Sequence, residues 1–424
     1  MKLPGWVQGV LLAVASFAFT IGVLELATSL YLVRFLPLKL HVALPRGARV
    51  LAQSSKRGVV PHDYVAILGD SYAQGAGDWL LDAGSGNPPF QSAHVLHERI
   101  DRDVINFGAS GAGSVRALVT EPVAGLRYLG ELALIRPKPP SDLLVYFYEG
   151  NDLVDNTVDI RLRYLPNYDR NRLRERTYFR EFLEKTAIDQ SPIGQDVAHF
   201  AWWDNLLLTR TVIRIAGATL FNRWPPSHEI AWSAGDRNRA WIGGREQPLP
   251  DGLQAPALEL NDADVELGEY VFGESLHYLR ESFPDARIGV VYLPSPLSSY
   301  RLASEEVVYQ AQIDEDGDGL YEDRQAATRA ARVAQRSDAI CSAIRAFAER
   351  EGVGFRDARP ALWEQAETQA IHGPRDWKHL NRLGQETLAG VDARLLEGLA
   401  GRSVRLGECG SLATWQTQKP NSPP

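Results

Sequence analysis

Short apolar runs alternate with longer amphipathic stretches along most of this chain. The runs are rich in β-branched and aromatic residues, which is typical of buried strands. The predicted strands cover residues 64–68, 104–107, 142–148, 287–293 and 353–356. The intervening stretches have helical periodicity, and the predicted helices cover residues 91–100, 115–134, 265–283, 326–351 and 380–399. Strands separated by helices pair in parallel, so the pattern predicts an α/β fold, a three-layer α/β/α sandwich around a parallel sheet.

Residues 9–33 break this alternation, because they are almost continuously apolar and Glu25 is their only formal charge. At a rise of about 1.5 Å per residue they span roughly 37 Å, more than the bilayer's hydrocarbon core of about 30 Å. The run is long for a signal peptide and contains no lipobox cysteine. We therefore predict that residues 1–33 form an uncleaved transmembrane anchor in contact with membrane lipid. A cleaved leader and a buried hydrophobic helix are the alternatives.

The charges in and around this segment bear on its surroundings. Lys2 precedes the apolar run, and four basic residues follow it closely, namely Arg34, Lys39, Arg46 and Arg49. The positive-inside rule, applied to these charges, places the large domain in the cytoplasm. Glu25 is costly in lipid unless it pairs or contacts a partner helix. We expect either a pair with Arg34 or helix association.

The remaining pattern divides the chain into further segments. Residues 34–62, with several prolines, are interpreted as a linker, and residues 401–424 as a disordered tail. The strand and helix alternation covers residues 63–152 and 265–400, which we predict to form one discontinuous domain. Residues 153–264 interrupt it as an insertion that forms a lid or wall over the site. Tryptophans concentrate in the insertion, where they either pack a small subdomain or bind a sugar ring: Trp202, Trp203, Trp224, Trp232 and Trp241.

Composition narrows the classes of function. The chain has 424 residues, 45% of them hydrophobic, and its formal net charge is −8. This balance excludes a collagen-like or fully disordered chain and argues against nucleic acid as the main partner. Cys341 and Cys409 are the two cysteines, so the chain has neither a disulfide framework nor a cysteine zinc cluster. The sequence leaves undecided whether these two cysteines form a disulfide with each other.

Four polar blocks follow predicted strands or precede the last helix. They are Gly69-Asp70-Ser71, the small-residue stretch 106–111, Gly150-Asn151-Asp152, and Asp376-Trp377-Lys378-His379. The carboxyl ends of parallel strands meet at one edge of a sheet, so we expect these blocks to lie close together. A carboxylate three residues before a histidine can orient its imidazole, and the imidazole can then deprotonate a serine. Each block alone is a weak signal, but the four in this order are a strong one.

On these blocks the sequence resembles the GDSL/SGNH hydrolase family, over residues 63–152 and 265–400. The resemblance implies a flavodoxin-like sheet, with Ser71 as nucleophile, His379 as general base and Asp376 as the carboxylate that orients it. It also implies an oxyanion hole formed by the backbone amides of Ser71 and Gly108 and the side chain of Asn151. Tyr72 stands where the family's name motif has leucine, at a side chain without a chemical role.

The resemblance implies a serine esterase that hydrolyses acyl esters, with carbohydrate O-acetyl groups as the first substrate to consider and no required cofactor. An O-acyltransferase that modifies a cell-surface polysaccharide would use the same triad. A protein of a different class, a non-catalytic scaffold that binds glycans through a vestigial site, is the further alternative.

An acidic stretch resembles the start of an EF-hand calcium loop. The candidate ligands are Asp314, Asp316, Asp318, the backbone of Leu320, and Glu322. Gln325 stands where a bidentate glutamate is usual, so we predict a weak structural Ca²⁺ site, with a solvated acidic loop as the alternative. Weak sites fill where calcium is millimolar. A disulfide between the two cysteines and the usual location of the family's membrane-tethered members would also fit a domain outside the cytoplasm. We therefore predict that the large domain is periplasmic, although the basic residues after the apolar run favour the cytoplasm.

Overall fold

A five-stranded parallel sheet forms the centre of the molecule. The computed structural model describes residues 4–78, 91–221, 235, 237–313, 322–401 and 406–418. The strands of the central sheet, numbered in chain order, are β1 Val65–Leu68, β2 Val104–Asn106, β3 Asp142–Tyr148, β6 Arg287–Leu293 and β10 Gly354–Asp357. Their order is β10-β6-β3-β1-β2 and all neighbours are parallel. Counted along the chain this is the flavodoxin-like order 2-1-3-4-5, so the predicted fold class is confirmed.

Helices cover both faces of this sheet. The helices are α1 Gly5–Leu30, α2 Ser71–Gln74, α3 Ser92–Ile100, α4 Gly125–Glu131, α5 Asp152–Asp159, α6 Arg176–Phe182, α7 Pro192–Ala198, α8 Leu207–Leu220, α9 Asp262–Ser282, α10 Ala330–Glu351, α11 Arg359–Thr368, α12 Arg382–Leu399 and α13 Leu412–Thr417. Wide π-type turns over Val115–Ala124, Ile160–Tyr164 and Leu183–Asp189 adjoin α4, α5 and α6. Along β1, Ala66 and Leu68 pack into one apolar core with α4, whereas Val65 and Ile67 pack into another with α3 and α12. The side chains alternate between two cores, as a buried central strand requires.

Two smaller sheets lie outside the central one. Strands β4 Arg239–Ile242 and β5 Arg245–Pro248 pair antiparallel, and β7 Arg301–Leu302 joins β4. Strands β8 Glu306–Ile313 and β9 Glu322–Arg329 form a separate antiparallel pair. The insertion predicted between β3 and β6 therefore contributes helices α5 to α8 and two strands. Of its tryptophans, Trp224 and Trp232 lie outside the described residues, and Trp202 and Trp203 are exposed side by side.

The segment interpreted as a linker is packed onto the domain. Residues 34–62 contain 3₁₀ turns, and Leu44, Ala48 and Leu51 are buried in the core. The Gln53 side chain donates to the Asn106 carbonyl (2.6 Å) and accepts from its amide (2.8 Å), and the Val104 amide donates to the Ser55 carbonyl (2.8 Å). This segment covers the outer edge of β2, so the linker interpretation was wrong for these residues.

Part of the predicted disordered tail is also folded. A disulfide joins Cys409 to Cys341 on α10, so the pairing that the sequence left undecided is present in the structure. The Gly407 amide donates to the Phe355 carbonyl on the outer edge of β10 (2.9 Å), and Trp415 of α13 stacks on Trp363 at a centroid distance of 4.9 Å. Residues 406–418 therefore cover the other edge of the sheet, because the disulfide and the stacked rings hold them there.

Helix α1 is long and apolar enough to span a membrane or to serve as a signal anchor, and most of its side chains are exposed. Glu25 near its end is buried, and its carboxylate accepts hydrogen bonds from the amides of Leu208 (2.9 Å) and Thr209 (2.7 Å) in the first turn of α8. Of the two expectations for Glu25, helix association is the one that the structure contains.

The calcium prediction falls mostly outside the described residues. Asp314, Asp316, Asp318 and Leu320 lie in the undescribed stretch 314–321. Glu322, the fifth candidate ligand, is exposed at the start of β9 and pairs with Arg324 (3.1 Å). The Ca²⁺ site stays a prediction.

Candidate active site

The chain turns sharply from β1 into α2, and the candidate nucleophile lies at that turn. Gly69 has a φ of +150°, and a Cβ there would lie 2.9 Å from the Cβ of Ala73, so a side chain at this position is excluded. Asp70 caps α2 by accepting the Tyr72 amide (2.9 Å). Ser71 is the first residue of α2. It therefore lies at the carboxyl end of β1, where the strand order reverses between β1 and β3 and ligands of such sheets bind.

Ser71, His379 and Asp376 form a continuous row of hydrogen bonds. His379 Nε2 lies 2.9 Å from Ser71 Oγ, and His379 Nδ1 lies 2.7 Å from Asp376 Oδ2. Ser71 is 9% exposed, and the side chains of His379 and Asp376 are 18% and 19% exposed. The loop before α12 brings the imidazole to a hydroxyl 308 positions earlier in the chain. The structure thus brings together the three side chains that the order of motifs predicted.

Asp376 is held as an anion. Burial works to raise its pKa, but hydrogen bonds from the His379 ring and from the backbone amides of Lys378 and His379 outweigh burial and hold the pKa below its usual value. Those amides lie 2.9 Å and 3.3 Å from Oδ1. A carboxylate anion next to Nδ1 fixes the tautomer in which Nδ1 carries the proton and Nε2 accepts one.

Tyr72 links the loop that carries His379 to helix α2, which begins at Ser71. Its hydroxyl donates to the Lys378 carbonyl (2.7 Å), and its ring stacks on Tyr148 with centroids 4.1 Å apart. On the other side of the loop, Asp78 Oδ1 accepts the Asp376 amide (2.6 Å). The sequence assigned Tyr72 no chemistry and missed its positioning contact. The replacement of the motif's leucine by tyrosine was the one available signal.

A buried histidine supports the same loop from below. The Tyr300 hydroxyl accepts the amides of Ile371 and His372 (3.1 Å each) and lies 3.0 Å from His372 Nδ1. Burial lowers the pKa of His372 to about 3, so the ring is neutral and Nδ1 accepts the hydroxyl proton. Nothing in the sequence distinguished this histidine from any other.

Two of the three predicted oxyanion donors are engaged within the protein. The Gly108 amide donates to Asn106 Oδ1 (2.6 Å), and Asn151 Nδ2 donates to Asp155 Oδ2 (3.0 Å). Gly108 packs so closely on α2 that a Cβ would lie 2.3 Å from the Gln74 amide nitrogen, which explains the glycine. Asn151 Nδ2 carries a second proton besides the one given to Asp155. The roles of Gly108 and Asn151 stay predictions.

Three buried carboxyl groups lie behind the serine. Burial, and then the charge of Asp70, raise the pKa of Asp152 well above its usual value. Burial, followed by repulsion from Asp70 and Asp159, raises the pKa of Asp155 to about 7. Burial also raises the pKa of Asp70, although His379 opposes it, and Asp70 Oδ2 lies 3.3 Å from Ser71 Oγ. Burial, and after it mutual repulsion, therefore keep protons on part of this cluster at neutral pH.

No known protein-family model matches the chain, and no curated protein matches it in sequence. Two solved structures are similar to it. Phospholipase A1 from Streptomyces albidoflavus NA297 is 14% identical, with a TM-score of 0.34, and the match covers 78% of this chain and 98% of that one. A carbohydrate acetylesterase family member from Sinorhizobium meliloti is 12% identical, with a TM-score of 0.28, covering 79% and 98%. At scores this low, neither likeness carries an argument about family or function.

Proposed function

We propose that this protein is a serine hydrolase of carboxylic esters, with Ser71 as nucleophile, His379 as general base and Asp376 as the orienting carboxylate. One observation carries the proposal: Asp376 Oδ2, His379 Nδ1, His379 Nε2 and Ser71 Oγ are joined by hydrogen bonds of 2.7 Å and 2.9 Å. This arrangement suits removal of the hydroxyl proton as the oxygen attacks a carbonyl carbon.

The hydrogen-bonded row of Ser71, His379 and Asp376 moves the proton both when the acyl-enzyme forms and when it is hydrolysed. As Ser71 Oγ bonds to the ester carbonyl carbon, its proton passes to His379 Nε2, and the imidazolium is stabilised by the Asp376 anion. The tetrahedral intermediate collapses, and Nε2 gives the proton to the leaving alcohol. Water then attacks the acyl-serine while Nε2 accepts its proton, and Nε2 gives this proton to Ser71 Oγ as the bond between the acyl carbon and Oγ breaks and the acid is released. When a sugar hydroxyl replaces water, the same steps transfer the acyl group.

The developing oxyanion requires preorganised donors, each worth about 3–4 kcal/mol. We assign the Ser71 amide and the second Nδ2 proton of Asn151 to this role. The Gly108 amide is a third donor, but it must release Asn106 Oδ1 or be shared with it, because the two are 2.6 Å apart.

The test is replacement of the nucleophile. Ser71→Ala should lower hydrolysis of a p-nitrophenyl ester by at least about 10³-fold, because the acyl-enzyme can no longer form. It should also abolish labelling by a fluorophosphonate probe. Ser342→Ala is the matched control and should change neither readout, because Ser342 is exposed on α10 and its hydroxyl donates to the Asp338 carbonyl of the same helix. Labelling that survives in the Ser71 variant would refute the assignment of Ser71 as nucleophile. A parent protein that is neither labelled nor active would favour the vestigial-site alternative.

For the substrate, we propose acyl esters on carbohydrate, with O-acetyl groups first. Support comes from the family resemblance of the four motifs. The test is a panel of acetyl and long-chain p-nitrophenyl esters and an acetylated glycan, each with and without a sugar acceptor. Preference for acetyl esters would support the proposal. A faster rate with the acceptor, accompanied by an acylated sugar, would assign the protein as an acyltransferase.

We also propose that the catalytic domain lies outside the cytoplasm. The disulfide between Cys341 and Cys409 supports this location, because disulfides persist in oxidising compartments. Protease added to intact spheroplasts should degrade the domain. A domain that is degraded only after the cells are lysed would place it in the cytoplasm.

A further inference from the structure

Helix α8 presents apolar side chains to the outside although it belongs to the folded domain. Val212 is 53% exposed, Ile213 64% and Leu220 80%. At 100° per residue these three, with Ala216, fall within about 100° of the helix circumference. Large side chains grouped on one exposed face need an explanation, because soluble surfaces seldom present them together.

The other face of α8 holds it to the domain. Leu207 and Thr211 are buried, and Arg210 pairs with Asp204 and lies within 3.3 Å of the Tyr128 hydroxyl on α4. The helix is therefore amphipathic and fixed in orientation, and its apolar face is turned away from the protein. An amphipathic helix held in one orientation, with its apolar side chains facing outward, is typical of helices that lie in the plane of a membrane surface.

The contact with α1 sets the depth of this helix. Residues 5–24 of α1 precede Glu25 and, at 1.5 Å each, cover about 30 Å, the thickness of the hydrocarbon core. Glu25 would then lie at the membrane boundary, and it accepts the amides of Leu208 and Thr209. Along α1, the buried positions are Glu25, Thr28 and Ser29, whereas residues 8–20 are exposed, so α8 crosses α1 at its end and does not run along it into the bilayer.

Exposed aromatic side chains lie close in sequence to both sides of this contact. Trp202 and Trp203 are 72% and 55% exposed and lie within six residues of the Glu25 contact. At the end of α1, Tyr31 and Phe35 are both more than half exposed, and the Arg34 guanidinium lies against their rings. Trp and Tyr concentrate where membrane proteins meet the headgroup layer.

We propose that α8, with Trp202 and Trp203, is a second membrane-contact element that lies in the headgroup layer beside α1. Glu25 joins the two helices, so the catalytic domain is held in one orientation on the bilayer instead of swinging on its anchor. The occupant of the apolar face is the lipid surface, since α8 begins at the end of α1, which is long and apolar enough to enter that surface.

The experiment uses the full chain reconstituted into phosphatidylcholine vesicles. Ile213→Cys carries an environment-sensitive fluorophore on its free thiol, and the exposed Glu397→Cys on α12, on the other face of the central sheet, is the matched control. Nitroxides on the lipid acyl chains should quench the label at 213, which should lie about 5–10 Å into the boundary between headgroups and acyl chains. Aqueous iodide should quench the label at 397 and not the one at 213.

A second variant separates lipid contact from other shielding. The pair Val212→Asp and Ile213→Asp, with the label moved to Leu220→Cys, should restore iodide quenching at 220 while the protein still floats with the vesicles through α1. Iodide quenching at 213 equal to that at 397 would overturn the proposal. Shielding that appears only at high protein-to-lipid ratio, without quenching by lipid nitroxides, would instead assign this face to a second copy of the chain.

Discussion

At the residue scale, Asn106 illustrates how the site depends on side chains that touch no substrate. Its backbone is fixed by Gln53, its Nδ2 donates to the Ala73 carbonyl at the end of α2, and its Oδ1 accepts the Gly108 amide. One buried amide thereby fixes the distance between the serine helix and the predicted oxyanion loop. A change at this position would alter the donor geometry without removing any reacting group.

Asp376→Asn tests the orientation of the imidazole. The amide can offer its NH₂ to Nδ1, which would favour the tautomer with the proton on Nε2 and leave no base for Ser71. We expect kcat for ester hydrolysis to fall on the order of 10³–10⁴-fold with little change in Tm. Asp338→Asn, a carboxylate that pairs with Arg359 away from the site, is the control for loss of a charge. A kcat within a factor of a few of the parent would contradict the role of Asp376.

Asp392 makes stability depend on pH. Burial raises its pKa to about 7, although the Tyr146 hydroxyl donates to Oδ2 and opposes the shift. Between the unfolded pKa near 3.8 and the folded value, the native state holds the extra proton, so the free energy of unfolding falls as pH rises from about 4 to 7.

Asp392→Asn should remove this dependence. The variant should gain about 1–3 kcal/mol relative to the parent between pH 4 and pH 7, and the difference should stay constant above pH 7. Urea unfolding at several pH values measures it. Parallel curves for the two proteins across this window would show that Asp392 ionises normally.

At the element scale, the junction of α1 and α8 depends on a single carboxylate. Leu206, which precedes α8, offers no side-chain cap, and Glu25 accepts the first amides of the helix instead. Glu25→Ala should destabilise the start of α8 by about 1 kcal/mol, the usual value of a cap. Hydrogen exchange at the amides of Leu208 and Thr209 in lipid should speed up several-fold, and less in Glu25→Gln, which keeps one acceptor. Unchanged exchange in the alanine variant would show that α8 needs no such cap.

The five central strands could be predicted from the sequence because buried parallel strands are uninterrupted apolar runs. The prediction matched β3 and β6 at both ends, and β1 within one residue. Residues 34–62 and 406–418 were missed because their proline-rich or polar composition is typical of loops. They are held by contacts between distant residues, such as Gln53 with Asn106, which no local pattern contains.

The candidate site also has a part that the sequence could predict and a part that it could not. Three of the motifs follow strands, so the sheet topology predicts that they lie at one edge. That His379 reaches Ser71 was implied by the family resemblance of the four motifs together. The hydrogen bonds from Gly108 to Asn106 and from Asn151 to Asp155 depend on rotamers and on the curvature of the sheet edge. The sequence could therefore propose Gly108 and Asn151 as donors, but it could not show which hydrogen bonds they already make within the protein.

At the scale of the whole molecule, the disulfide ties the C-terminal segment to α10 across 68 positions. Cys409→Ser should lower the free energy of unfolding by about 2–4 kcal/mol, because the unfolded chain is no longer constrained by that loop. Chemical unfolding with and without reductant measures this. The reduced parent should match the variant, and an oxidised parent no more stable than the variant would contradict the prediction.

Both rims of the central sheet are closed by segments outside the catalytic domain delimited by sequence, residues 53–55 against β2 and residue 407 against β10. A water-soluble fragment cut at residues 63 and 400 would leave unpaired backbone amides and carbonyls on both rims, where another copy can add its own strand. Such a fragment should self-associate during purification. A fragment that begins at residue 31 and retains the C-terminal segment keeps both rims covered and is the better starting point for crystallisation.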